Sequence, residues 1–510
     1  MKFQRKQNTI RNSFWGFINQ IIQNLLPFIC RTLLIKLLGA EYLGLNSLFT
    51  SILQFLNLAE AGFGVAIVYS MYKPIADDDR ETVCALLNLI KKIYRIIGCI
   101  VTVTGLLILP FLKFFIKKDY PADVNIYLLY CIYLLNLSLT YFLFAYKNSL
   151  FNAFQRTDRL SQVDTVISIL KPALQILVLI FFRNLYVYVF IIPLTTLLKN
   201  IIVSILASKA YPEYICRGEV SKEQKKDIYK RTSGLFISKI SQTTRDALDS
   251  IFISCFIGLI TVTVYSNYYY IMNAIHGFLG IICTSMTAGV GNFVASETHE
   301  KTGKLFGNTT FAYMLLAGWC FICLMILYQP FMNLWIGSDL MFSKKGVLLI
   351  CLYFYLLSMG DMKGVFSGAF GMWWDFKYCS IFEALSNLVL NFILVRKVGI
   401  YGILLGTMIN IFIFNFLWGS IILFKKEFSK KSFLIYLLNH LKYFCITLII
   451  YFICSIIANK IFADYSIKNF IFRILICFTV APALYFVFYY KKIKNNEYTE
   501  KVISKISHKK

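Results

Sequence analysis

The stretch Gln20–Glu81, QIIQNLLPFICRTLLIKLLGAEYLGLNSLFTSILQFLNLAEAGFGVAIVYSMYKPIADDDRE, finds a partial echo of itself later in the chain. Its first apolar run places Gln20, Asn24, Pro27 and Arg31 four, three and four residues apart, which on a helix makes one polar stripe along a lipid-length span. Ser238, Gln242, Arg245 and Asp249 repeat that spacing 218 residues on. With the offset moved to 219 the register continues through Gly39 and Gly258, Ser47 and Ser266, Ala76 and Ala295, and Glu81 and Glu300. A further echo, offset by 216, pairs Lys147 with Lys363, Ala153 with Ala369 and Phe154 with Phe370 inside KNSLFNAF and KGVFSGAF. Halves that repeat in the same order imply a duplicated helical bundle with a cleft between them, lined by both stripes. The competing explanation is chance likeness between apolar segments, which draw on a small alphabet.

Hydrophobic residues make up 58% of the 510 and the mean hydropathy is +0.65, so the chain is an integral membrane protein. The net charge, 52 − 26 = +26, would suggest nucleic acid in a soluble protein. Here the basic residues crowd the segments between apolar spans, a topological pattern that argues against a nucleic-acid partner. Most of the 14 cysteines sit singly in apolar runs, and Cys320 and Cys323 lie inside the span GWCFICLMIL, so packing thiols are expected rather than disulfides or a metal site. The Gly-rich AGFGVA at 61–66 also lies within a span and favours close helix packing over nucleotide binding. No paired carboxylates, nucleophile with its base, or phosphate loop points to an enzyme, and no cofactor is implied. His276, alone in its span, suits a structural or pore-facing role.

At about 20 apolar residues per span, about fourteen transmembrane helices are expected. They fall near 12–37, 44–71, 88–116, 124–151, 160–182, 186–208, 232–256, 260–288, 307–335, 346–371, 377–395, 400–424, 433–459 and 467–490. The first is too long for a signal peptide and is expected to stay attached. The fold class is therefore an all-α polytopic membrane protein. It is expected to comprise an N-terminal six-helix lobe over 1–210, a linker over 211–231, a C-terminal six-helix lobe over 232–424, two additional helices over 425–490 and a basic tail over 491–510. An even span count puts both termini on one side. The excess of Lys and Arg there, including Lys209, Arg217, Lys222, Lys225, Lys226, Lys230 and Arg231 around the linker, makes that side the cytoplasm.

A charge at membrane depth costs about 2.5–3.5 kcal/mol on insertion scales, so such residues avoid lipid. Arg31, Lys147, Arg245, Asp249 and Lys363 read as cavity-lining, whereas Lys199, Lys239 and Glu383 lie near enough to helix ends to snorkel. Arg245 and Asp249, at i and i+4, have self-neutralisation as their alternative. Arg31 has no such partner on its own helix. It needs either a carboxylate from another helix, with Asp249 one candidate, or an anionic ligand such as a phosphate, which its planar fork fits. Lys147 and Lys363 would add point charges to a basic vestibule. Glu60 and Asp361 are the acidic candidates for ion coupling, although neither marks an ion site by itself.

At RTLLIKLLGAEYLGLNSLFTSILQFLNLAEAGFGVAIVYSMYKPIADDD (31–79) the sequence resembles the polysaccharide-transport branch of the multidrug/oligosaccharidyl-lipid/polysaccharide (MOP) exporter superfamily, the Wzx-type flippases. The resemblance is carried by Arg31, Gly39, Gly44-Leu45, Glu60 and Gly62, then Tyr72, Pro74 and Ala76 before Asp77–Asp79, and by YRIIG at 94–98. It implies two six-helix lobes in a V-shaped, MATE-like arrangement in the cell membrane, working by alternating access. The implied cargo is undecaprenyl-diphosphate-linked oligosaccharide repeat units for surface polysaccharide, with cavity cations, Arg31 foremost, taking the diphosphate. Coupling to a Na⁺ or H⁺ gradient, contact with membrane lipids and partnership with polysaccharide assembly proteins are implied as well. A drug exporter of the same superfamily would favour an acidic cavity. A polysaccharide polymerase or ligase would need a long outer loop, and a scaffold would pair its buried charges with one another.

Overall fold

The computed structural model describes residues 5–60, 62–117, 120–461 and 466–494, so most of the expected 491–510 tail lies outside it, as does the Ser238 side chain. Every regular element among the described residues is helical. In chain order the helices are α1 (Arg5–Leu37), α2 (Ala40–Leu56), α3 (Phe63–Ala76), α4 (Arg80–Ile108), α5 (Ile126–Phe142), α6 (Asn148–Ala153), α7 (Thr157–Phe181), α8 (Leu185–Ala210) and α9 (Lys222–Phe256). They continue as α10 (Leu259–Ser296), α11 (His299–Ile336), α12 (Lys344–Met359), α13 (Asp361–Ala369), α14 (Lys377–Val398), α15 (Ile400–Asn410), α16 (Gly419–Glu427), α17 (Lys430–Ile461) and α18 (Ile467–Lys494). Their boundaries follow local chemistry. Asn125, Asn184, Ser221, Thr298 and Ser343 each accept a first-turn N–H from their helix.

The chain is a multi-pass membrane protein, with eleven described helices long and apolar enough to cross a bilayer, or twelve if the bent pair Ile126–Phe142 and Ala145–Ala153 is one span. Two of the fourteen expected spans account for the difference. The one near 44–71 is broken: α2 ends in a 3₁₀ turn over Asn57–Glu60, and α3 starts after Gly62 at φ 94°, a left-handed conformation that glycine adopts without strain. Gly64 supplies the close packing expected of the glycine-rich run, because a Cβ there would stand 3.1 Å from the Tyr94 hydroxyl. The one near 232–256 is helical but carries Lys239, Arg245, Asp246 and Asp249. These two segments pack on each other, α9 lying against α2 and α3, and a helix enclosed by protein need not be apolar all round.

The fold divides into two compact units, Met1–Ser266 with Phe376–Gly406, and Asn267–Asp375 with Thr407–Lys510. In the first, α1 packs on α7, α7 on α8, α5 on α4 and α8, and α14 on α9. Its core runs through Leu43, Leu48, Phe49, Ile67, Val83, Leu129 and Tyr130. In the second, α11 is central, flanked by α12, α17 and α18, with Phe321, Tyr353, Phe354 and Tyr355 fully buried. Outward-facing Phe111, Phe114, Phe181 and Phe182 in the first unit, and Phe486 and Val487 in the second, suit contact with acyl chains. The 211–231 segment lies in the first unit and is fastened to α4. Arg80 pairs with Glu213, Asn88 donates to the Gly218 carbonyl at 2.9 Å, and Lys92 pairs with Glu219 at 3.5 Å.

Candidate functional site

The repeated stretch shows its register in local geometry. Gly39 and Gly258, 219 residues apart, adopt φ 129° and 134° at the joints before α2 and α10. Each donates its N–H to a carbonyl five residues back, Gly39 to Leu34 at 3.1 Å and Gly258 to Ile253 at 3.0 Å. The helix starts that follow touch reciprocally. Thr263 donates to the Ala40 carbonyl, Gly44 lies so close to the Leu259 carbonyl that a Cβ would collide with it, and Ser47 donates to Ser266 at 3.2 Å. Residues 40 and 44 thus meet the counterparts of 44 and 40, and residue 47 meets its own counterpart.

Arg31 is held at that contact. Its Nη2 donates to Ser266 Oγ at 2.7 Å, while the Ser266 hydroxyl donates to the Thr263 carbonyl at 3.1 Å. The side chain is only partly buried. A planar fork with several N–H donors held this way suits a bidentate oxyanion such as phosphate.

Arg245 and Asp249 stand in a different environment. Arg245, 8% exposed, pairs through Nη1 with Glu383 Oε1 at 2.9 Å. Asp249 is fully buried; Asn391 donates to its Oδ1 at 2.8 Å and Tyr265 to its Oδ2 at 3.0 Å. Glu383, Asn387 and Asn391, at i, i+4 and i+8 on α14, therefore face the Arg245–Asp249 stripe of α9. Glu383, expected to snorkel, is instead 4% exposed in the interior, because α9 supplies its counter-charge. Asn387 and Asn391 were missed by sequence reasoning, although their four-residue period within KYCSIFEALSNLVLNFIL was the available signal.

The repeated lysines both bind main chain. Lys147 donates to the Ser204 carbonyl at 3.4 Å, Ser204 Oγ at 2.9 Å and Ser208 Oγ at 2.7 Å. Lys363, 6% exposed, donates to the Asn415 carbonyl and, at 3.2 Å, to Asn415 Oδ1, within a π-helical turn over Ile411–Trp418 that places the carbonyl in reach.

The two candidate coupling carboxylates each meet a tyrosine. Tyr94 donates to Glu60 Oε1 at 2.6 Å in the first unit; Tyr313 donates to Asp361 Oδ2 in the second, where His276 Nε2 also lies 3.0 Å away. The tyrosines are 219 residues apart, as are His276 and Asn57, whose Oδ1 accepts from Tyr141. Both carboxylates sit at helix breaks, Glu60 between α2 and α3 and Asp361 at the start of α13. Among the described residues no group of three or more His, Cys, Asp or Glu is placed to hold a metal ion.

Comparison with known proteins places this architecture. The fold is that of the MOP-superfamily transporters. The chain is similar to a multidrug resistance MATE family transporter of that superfamily in its inward-facing conformation (TM-score 0.61, 18% identity, 78% of this chain and 94% of that one). It is similar to a MOP superfamily transporter from Pyrococcus furiosus (TM-score 0.59, 17% identity, 82% and 96%). The lipid II flippase MurJ, in an inward closed conformation, is similar over still more of its length (TM-score 0.63, 15% identity, 95% of this chain and 100% of that one). The family model described as polysaccharide biosynthesis protein matches residues 9–287, more than half of the 510, and the chain belongs to that family. No curated protein matches it in sequence.

Proposed function

We propose that this protein is a flippase, not an enzyme, that carries undecaprenyl-diphosphate-linked oligosaccharide repeat units across the cell membrane by alternating access for surface polysaccharide assembly. Both termini and the 211–231 linker face the cytoplasm in this reading, as the distribution of Lys and Arg requires. The observation that carries it is the Arg31 guanidinium, oriented by a neutral hydroxyl at the contact between repeated segments in a chain of the polysaccharide biosynthesis family. A lipid diphosphate must leave water and cross roughly 30 Å of hydrocarbon, so counter-charge along its path lowers the barrier. Arg31 supplies that charge in bidentate form; Lys147, Arg245, Asp249 and Lys363 shape and hold the surrounding helices. Glu60 and Asp361, each hydrogen-bonded to a tyrosine, are the sites through which a Na⁺ or H⁺ gradient couples to the cycle.

The test is surface-polysaccharide export in cells carrying Arg31 variants. Arg31→Ala abolishes export at normal protein level, and Arg31→Lys restores it only in part because an ammonium lacks the fork. Normal export by Arg31→Ala, or recovery by the Arg31→Glu, Asp249→Arg charge swap, overturns the assignment by making Arg31 one half of a structural ion pair.

A further inference from the structure

Helices α17 and α18 have no counterpart in the duplicated part of the chain. At one end of the second unit they join α11 and α12 around a cavity of ≈ 460 Å³. Lys344, the first residue of α12, and Arg473 of α18 line it, with Gln329 of α11 and Tyr451, Ser455 and Asn459 of α17. Arg473 is only 5% exposed. Its Nη2 donates to Asn459 Oδ1 at 3.3 Å, and Asn459 Nδ2 donates in turn to Ser455 Oγ at 3.2 Å, so a chain of hydrogen bonds sets the guanidinium against the cavity wall. The Gln329 amide is fixed too, donating to the Phe342 carbonyl at 2.6 Å and accepting from Tyr268 at 3.0 Å. Lys344 opens a sixteen-residue helix, whose N-terminus adds the positive end of its dipole.

The described lining therefore brings together two cations, a helix N-terminus and several hydrogen-bonding side chains, and includes no carboxylate. We propose that this cavity binds a phosphate group, carried by a lipid headgroup or as free phosphate. A guanidinium fork beside an ammonium point charge is the donor set that tetrahedral phosphate oxygens take. The volume is in the range of small-molecule sites and leaves room for a glycerol or sugar attached to the phosphate. The C-terminal parts of α11 and α17 and the N-terminal parts of α12 and α18 build the site, away from Lys491, Lys492 and Lys494 at the other end of α18. With cytoplasmic termini, that end faces the outer leaflet. The inference goes beyond the flippase reading and stands without it.

The experiment uses the full-length protein in detergent and phosphate-free buffer, in an Arg31→Ala background so that the proposed diphosphate contact does not contribute. Thermal unfolding midpoints are titrated with inorganic phosphate, with phosphatidylglycerol in mixed micelles, and with diacylglycerol as the phosphate-free lipid. Phosphatidylglycerol raises the midpoint and diacylglycerol does not. Arg473→Gln weakens half-saturation by about tenfold, the size of one lost charge-assisted hydrogen bond. Saturation by phosphatidylglycerol that inorganic phosphate does not compete assigns a lipid ligand, whereas saturation by inorganic phosphate with mutual competition assigns the free ion. Lys344→Gln, at an exposed position, carries the test if Arg473→Gln fails to fold, and it weakens binding several-fold. Equal shifts with diacylglycerol, no shift with either phosphate probe, or unchanged half-saturation in Lys344→Gln overturns the proposal, while the export assay of Arg31 variants is unaffected by any of these results.

Discussion

Two arginines of the first unit, Arg31 on α1 and Arg245 on α9, carry the same group to opposite ends. Arg245 is enclosed, and its charge is met by Glu383 across the α9–α14 packing. Arg31 is partly exposed and is steered by Ser266, a neutral hydroxyl. A buried guanidinium with a carboxylate partner holds helices together, because removing either charge strands the other in a low-dielectric interior. A partly exposed guanidinium stays within reach of solvent and of what solvent carries. Placement in a membrane span alone does not separate the two roles; the neighbour does.

The comparison breaks most visibly at the ion pair. Glu383→Ala leaves Arg245 buried with its principal counter-charge gone and lowers stability by about 3–5 kcal/mol. Replacing both residues with leucine or methionine recovers most of that loss. Thermal unfolding of the purified single and double variants measures both effects, and a single variant as stable as the parent removes the structural role assigned to Arg245.

A smaller effect is expected where the repeated segments touch. Gly44→Ala drives a Cβ into the Leu259 carbonyl, which is backbone and yields little, at a cost of about 1–3 kcal/mol. The same change moves Ser47 away from Ser266, so export falls along with the melting temperature. Gly64→Ala meets side-chain atoms that can move, the Tyr94 hydroxyl at 3.1 Å and Glu60 Oε1 at 3.9 Å, and lowers the melting temperature less.

The smallest effect sharpens the comparison. Ser266→Ala removes one hydrogen bond from Arg31, worth about 0.5–1.5 kcal/mol, and leaves the charge in place. Export drops several-fold with a loss of stability well below that of Glu383→Ala, and Ser266→Thr restores it. If Ser266→Ala instead destabilises the protein as strongly as Glu383→Ala, the two arginines do the same job.

Much of the fold was legible in the chain because lipid imposes a simple rule: apolar runs of the right length become helices. Two of the expected runs depart from that rule where protein packs on the helix. The segment near 44–71 is broken by the Asn57–Glu60 turn, and the 232–256 part of α9 carries Lys239, Arg245, Asp246 and Asp249. Both are locally atypical as bilayer spans, and both pack against each other instead of against lipid alone. Of the candidate site, the polar stripes and their offset could be read from spacing, whereas Glu383 was misjudged because its distance from a helix end says nothing about which helix faces it.

By itself the sequence determined the membrane character, the helical class, the positions of most spans and the register linking Gly39 to Gly258 and Ser47 to Ser266, since each depends only on composition or on distance along the chain. The tertiary structure decided the partners: Glu383 for Arg245, Asn391 and Tyr265 for Asp249, main-chain carbonyls for Lys147 and Lys363, and Ser266 for Arg31. Apart from Tyr265, sixteen residues from Asp249, these pairings span 52 to 235 residues of chain. Helical periodicity fixes which face of a helix a side chain occupies but not which other helix packs there, and it is the packing that encloses one charge at membrane depth as a brace and leaves another partly exposed.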